Sequence, residues 1–160
     1  MTDTDKKEQE ICQCCGLCCD GTLFPRTAIH QSEHFPSTTQ DQNKNKWLKQ
    51  PCTYYENSCT IYNQLRPQDC CDFKCKSLRK FSNGALEIDA LKERIKKIKE
   101  QKTRLYKLIP NSTRERRLHE VFNDFLIQNK NLLKSPAFKK QHTQLFLEWV
   151  SYKSHLKQFW

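Results

Sequence analysis

The sequence has little of what marks most catalytic folds. Only three glycines occur in 160 residues, so no Gly-rich loop is present to cradle a phosphate. There is no H-E-x-x-H pair and no H-x-E coupled to P-C-x-x-C, which removes the usual zinc-peptidase and zinc-deaminase arrangements. No apolar run approaches the ~18 residues that a membrane-spanning helix needs, and mean hydropathy is negative. Met1 to Glu10, MTDTDKKEQE, has no basic stretch followed by an apolar one, so no secretory signal is read there. The expectations are a non-membrane protein in a reducing cytoplasm and a disordered segment over residues 1–10.

Cysteine is abundant, and only in one half. All ten precede Lys76, opening with Cys12, Cys15, Cys18 and Cys19 in a C-x-x-C-x-x-C-C run. In a reducing compartment clustered cysteines bind metal or do redox chemistry more often than they form disulfides. C-x-x-C lets two thiolates converge on one ion at about 2.3 Å each, as in structural zinc sites. C-x-x-C-x-x-C is also the run that ligates three corners of an iron–sulfur cluster, so the spacing leaves zinc and iron open. Consecutive residues of an extended backbone point to opposite sides, which assigns Cys18 and Cys19 to two centres or makes one of them a bridge.

The second group is Cys52, Cys59, Cys70 and Cys75, within P-C-T-Y-Y-E-N-S-C-T-I-Y-N-Q-L-R-P-Q-D-C-C-D-F-K-C. Over Cys12 to Cys75 the pattern resembles the bacterial cysteine-cluster family of zinc- or iron-chelating domain proteins: C-x-x-C-x-x-C-C, a further C, then C-x-I-Y, R-P and C-R-x-F-x-C. The elements Cys59-Thr60-Ile61-Tyr62 and Arg66-Pro67 carry the likeness. One branch, the flagellin lysine methylases, has a related cluster associated with iron–sulfur. The resemblance implies a compact module whose metal ligands are Cys12, Cys15, Cys18, Cys19, Cys52, Cys59, Cys70 and Cys75. The chain departs from the pattern at Cys71, where the family has Arg, and Cys14 is an additional thiol. Eight ligands, with no pair of knuckles in either group alone, suggest two centres knitted from both groups.

The two halves also differ in charge and pattern. Up to Asn83 there are 11 Lys and Arg against 10 Asp and Glu; from Gly84 there are 17 against 8. From Cys12 to Lys80 no 3.6-residue period persists; Thr22 to Phe24 reads as extended and Gln40 to Lys46 as a loop. Beyond Ala85, Ile88, Leu91, Ile95, Ile98, Leu105 and Ile109 form a helical seam of roughly six turns, with Lys102 at the missing position. Pro110 ends it. Ser112 and Glu115 have capping-box spacing for a second helix running to about Leu133. Ser135-Pro136 opens a third, with Phe138, Leu145, Trp149, Tyr152, Leu156 and Phe159 on one face.

The fold expected is mainly α: a disordered 1–10, an irregular metal-stapled Cys-rich module over 11–83, and about three basic helices over 84–160 packed on it. The function expected is metal binding, zinc or iron, in a structural or chelating role, with no catalytic residue assigned. An iron–sulfur redox or accessory protein is one alternative and a metal-stapled nucleic-acid-binding module is another. Nucleic acid is not the favoured partner, because Lys96-Lys97, Arg114, Arg116-Arg117 and Lys139-Lys140 fall between core positions and accompany no recognised motif. His30, Glu33 and His34 read as solvated surface. Arg66-Pro67 reads as a turn that places Cys70.

Overall fold

Because α-helices leave their first N–H groups unpaired, the start of this chain can become ordered only if something caps it, and Thr2 does. In the computed structural model, which describes residues 2–160, the Thr2 hydroxyl accepts from the Asp5 amide at 3.1 Å and the Asp5 carboxylate accepts from the Thr2 amide at 2.7 Å. This reciprocal cap starts helix α1 (Asp3–Cys15), and Asp3 and Asp5 complement the positive end of its dipole. The expected disorder over residues 1–10 is thereby corrected for all but Met1, which lies outside the described residues. The helix is anchored by Ile11, which packs with Leu78 and Leu91, and by an ion pair between Glu8 and Lys74 at 2.5 Å. Gly16 ends it at φ 70°, where a Cβ would overlap the Tyr55 phenol.

The next segment forms a small antiparallel sheet that the hydrophobic pattern did not announce. Strands β1 (Arg26–Ile29), β2 (Thr38–Gln40) and β3 (Lys46–Lys49) are ordered β1-β3-β2, with Ala28 and Thr39 both opposite Trp47. The extended piece expected at Thr22 to Phe24 falls instead at β1. The loop expected over Gln40 to Lys46 shortens, because its two ends pair across the hairpin. Its tip is closed by Asp41 Oδ1, which accepts from the Asn43 and Asn45 amides at 2.9 Å each. A second ribbon, β4 (Tyr55–Glu56) with β5 (Ser58–Cys59), turns at Asn57. Two short helices follow, α2 (Gln68–Asp72) and α3 (Lys76–Ser82).

The remainder is helical: α4 (Ile88–Leu108), α5 (Leu118–Gln128), α6 (Pro136–Gln141) and α7 (Thr143–Leu156). α4 buries Leu91, Ile98 and Leu105 along the predicted seam. The second helix starts later than the capping-box spacing suggests. The Ser112 hydroxyl donates to the Tyr106 carbonyl and closes the turn after α4 instead of capping. The third helix is two, because the chain breaks at His142 (φ −106°, ψ 18°). Ser135 does cap its first piece, accepting from the Phe138 amide.

One apolar cluster joins the halves. Leu17 and Leu23, which flank Cys18 and Cys19, pack with Ile98, Leu105, Phe122, Tyr152 and Phe159. The chain is mainly α, and no helix of the described residues is long and apolar enough to cross a membrane.

Candidate metal centre

Two left-handed glycines set the backbone of the first thiol run. Gly16 turns the chain out of α1, and Gly21, at φ 75°, turns it back where a Cβ would strike the Arg117 side chain. Between them Leu17 to Asp20 form a turn, closed by the Asp20 amide donating to the Gly16 carbonyl at 2.8 Å. Cys18 and Cys19 therefore do not sit on an extended backbone, and the alternation argument that separated them loses its premise. Beyond the turn, the Cys52 amide donates to the Cys19 carbonyl at 2.7 Å, stitching the second thiol group onto the first.

The second group is positioned by local caps. Pro67 opens α2, and its carbonyl accepts from the Cys70 amide at 2.9 Å, so Arg66-Pro67 is the turn that places Cys70. Glu33 braces the same helix: its carboxylate accepts from the His30 amide at 2.7 Å and from the Gln68 amide at 2.8 Å. His30 reaches Asp69 at 3.4 Å. His30 and Glu33 are thus structural struts, and His34 is exposed. Cys75 caps α3, its sulfur accepting from the Leu78 amide at 3.4 Å.

All eight cysteines of the pattern, Cys12, Cys15, Cys18, Cys19, Cys52, Cys59, Cys70 and Cys75, line one cavity of about 420 Å³. Cys14 and Cys71 do not; both are exposed, the Cys14 backbone carbonyl accepting from the Lys99 ammonium at 3.0 Å and the Cys71 sulfur lying 4.0 Å from the Arg66 carbonyl. All ten are free thiols. The thiols ring the cavity without converging on a point, since among the described residues no three His, Cys, Asp or Glu side chains are grouped to hold a single ion.

The electrostatic neighbours link the eight around the ring, Cys12 to Cys59 and Cys18 to both Cys70 and Cys19 included. Burial pushes the Cys15 thiol up to about 12, and nearby Cys12 and Cys75 add to the rise. Cys18 is driven up by burial and then by Cys15, Cys12 and Cys75. Cys19 instead shares a hydrogen bond with Cys59, which raises Cys19 and lowers Cys59, and Cys52 adds to the rise at Cys19. Burial lifts Cys70 to about 11, and Cys52 and Cys59 add to the rise. Buried thiols resist ionisation because a thiolate in a low dielectric is poorly solvated.

The wall between the thiols is apolar with a few polar groups. Phe24, Tyr62 and Phe73 line it, and Arg66 lies over the Tyr62 ring at 4.0 Å, near enough to favour the charged forms of Cys12 and Cys59. Gln50, also in the lining, is 3% exposed; its amide nitrogen donates to Thr27 at 3.0 Å while its Oε1 has no partner among the described residues. A buried acceptor without a donor costs about 1–3 kcal/mol, which marks the cavity as a place suited to polar or ionic contents. Sequence reading missed Gln50, Thr27 and Arg26, because their approach to the cavity depends on the β1–β3 pairing. No family model, curated protein or solved structure matches the chain.

Proposed function

We propose that this chain is a metal–thiolate protein of the cysteine-cluster type, binding zinc or iron in a structural or chelating role through the eight cavity cysteines. The eight would serve two centres, each knitted from both thiol groups. The observation that carries this reading is the selection the fold makes. Eight cysteines, contributed from Cys12 to Cys75, line one cavity, and the two that depart from the family pattern stay outside it. Zinc held by thiolates in small domains contributes roughly 10–16 kcal/mol of apparent binding energy at neutral pH, comparable to or above the 5–15 kcal/mol net stability of a domain. Metal would therefore staple an irregular half that has little apolar core of its own. A reducing compartment such as the cytoplasm keeps such thiols available.

The size of the cavity favours iron–sulfur as the filling. A bare zinc ion needs four sulfurs at about 2.3 Å, so the wall would have to close inward around it. A polynuclear cluster occupies the space between ringed thiols with less movement, and sulfide atoms supply acceptors and bulk that single ions do not. Anaerobic purification followed by metal and acid-labile sulfide analysis and an absorption spectrum tests both readings. Iron with equivalent sulfide and visible charge-transfer bands supports the cluster; zinc without sulfide supports the simple tetrathiolates. A folded protein with neither, its eight thiols freely alkylated, overturns the proposal.

A further inference from the structure

Beyond Asp124 the helical half changes character. From Phe125 to Leu147 there are four lysines, Lys130, Lys134, Lys139 and Lys140, and no Asp or Glu. All four are exposed, and among the described residues none enters an ion pair. The first acid past them, Glu148, is held by Arg104 at 2.9 Å. Of the six exposed large apolar side chains among the described residues, four, Ile127, Leu132, Leu147 and Val150, fall in or just beyond this stretch. The backbone that carries them is fixed. The Asn129 side-chain amide donates to the Phe125 carbonyl at 2.8 Å, and the amides of Lys130, Leu132 and Ser135 donate to the carbonyls of Ile127, Asn129 and Leu132 at 3.2, 2.8 and 2.9 Å. Inside the turn, Phe138 packs on Phe125 and His142, and Leu133 lies against the main core. The outer side carries Leu132 at 50% exposure and Ile127 at 64%, among the ammonium groups.

We propose that this tip, the turn between α5 and α6, docks on the surface of an anionic phospholipid bilayer. A lone exposed aliphatic residue is ordinary. A fixed turn that sets aliphatic side chains among unpaired ammonium groups, however, matches a surface that is anionic outside and hydrocarbon just beneath. Ile127 and Leu132 enter the boundary with the acyl chains, while the four lysines stay at the level of the lipid phosphates, since their long stems let the charged ends remain in water. The contact is peripheral, as no helix of the described residues could cross the bilayer. Nucleic acid fits the tip less well. From Phe125 to Leu147 there is no arginine to grip phosphates or base edges in pairs of hydrogen bonds, and Phe125 and Phe138 are buried and so cannot stack on bases.

The experiment is sedimentation of the full chain with vesicles of phosphatidylcholine alone or with about one-third phosphatidylserine. The wild type is expected to pellet with the anionic vesicles and to stay in solution with the neutral ones, and added salt should weaken the binding. Lys134→Gln combined with Lys139→Gln should lower the partition coefficient roughly tenfold or more, and Leu132→Ser roughly fivefold. Circular dichroism should be unchanged in both, because all three side chains are exposed. Lys96→Gln with Lys97→Gln is the control. It removes the same charge from exposed positions of α4, one turn from Gln101, which meets His155 at the far end of α7, and should bind as the wild type does. Equal binding to the two kinds of vesicle, unchanged binding in the tip variants, or an equal loss in the α4 control overturns the docking site. So does binding to a single-stranded oligonucleotide, and not to vesicles, that depends on the tip lysines, which would make the tip a nucleic-acid surface.

Discussion

The two halves of this chain solve the problem of holding a backbone in place by different means. Of the buried apolar residues described, six precede Asn83 and fourteen follow it. The helical half therefore buries its own seams, stacking Phe122 on Trp149 at 3.8 Å and closing α4 against α7. The cysteine half has strands of two to four residues, turns, α1 and two short helices, held by caps, backbone stitches and polar struts. Burial at about 25 cal/mol per Å² of apolar surface accounts for the first kind of order, and it is too sparse for the second. What the comparison teaches is that the thiol cavity occupies the place where a hydrophobic core would otherwise be.

The strongest test of this contrast is to remove the metal on which the proposal rests. Chelation under reducing conditions, or Cys15→Ser, is expected to abolish the order of the cysteine half. Limited proteolysis should open sites between Cys12 and Phe81 first, with circular dichroism showing loss of α1 and α3 and partial loosening of α4 to α7 as Leu17 and Leu23 leave the shared core. Cys14→Ser should be mild. Unchanged proteolysis across the whole chain would mean that the first half holds itself together.

A smaller effect is expected at the clasp between the halves. Lys102 takes the polar position in the α4 seam and reaches across to Asp20 Oδ2 at 2.8 Å, the Asp20 carbonyl at 3.2 Å and Thr22 Oγ1 at 3.2 Å. Both ionic partners are largely covered, so removing one leaves a poorly solvated charge. Lys102→Ala should cost about 2–3 kcal/mol, just below the roughly 3–5 kcal/mol range for broken buried pairs because neither group is fully buried. Adding Asp20→Asn should recover part of that in a double-mutant cycle measured by denaturant unfolding. Additive losses would show that the pair does not couple the halves.

A third effect belongs to the helical half alone. His119 is lowered to about 4, first by burial and then by Lys153, Arg117 and Lys102. Its ring nitrogen meets the Lys153 ammonium at 3.2 Å and its ring packs edge-to-face with Trp149 at 5.2 Å between centroids. The folded value lies below the ordinary 6.5, so the unfolded chain binds more protons between those limits, and stability falls as pH drops from about 6.5 toward 4. Allowing for the exposed part of the ring, the loss should be about 1 kcal/mol. It should shrink in His119→Gln, measured by thermal unfolding across that range in matched salt.

The smallest effect tests α1. Thr2→Ala removes the reciprocal cap at an exposed helix start and should cost about 0.5 kcal/mol, the low end for cap removal, seen as faster amide exchange over the first turn with the helical half unaffected.

Legibility followed the range of the interactions involved. The α4 seam from Ile88 to Ile109, its end at Pro110 and the start at Ser135-Pro136 were readable, because helical period, proline and side-chain caps act over a few residues. α1 was not, since its apolar content is slight and its order comes from Thr2, from Ile11 against Leu78 and Leu91, and from Glu8 with Lys74, 66 residues away. The three-stranded sheet escaped notice for the same reason: strands of three and four residues carry too little alternation to register. Ser112 misled because a serine with a glutamate three residues on can equally well bond backward to the end of the preceding helix.

The sequence by itself determined the helical period, the breaks at proline and the unequal distribution of thiol, charge and apolar residues between the halves, because each is a property of neighbouring residues. Only the tertiary structure decided which thiols share a cavity. Cys14 and Cys15 are adjacent in the chain, as are Cys70 and Cys71, yet in each pair one sulfur lines the cavity and the other does not. That choice is made by the turns at Gly16 and Gly21, the stitch from Cys52 to Cys19 and the brace of Glu33 on α2. Each of these fixes a direction in space that residue spacing leaves free.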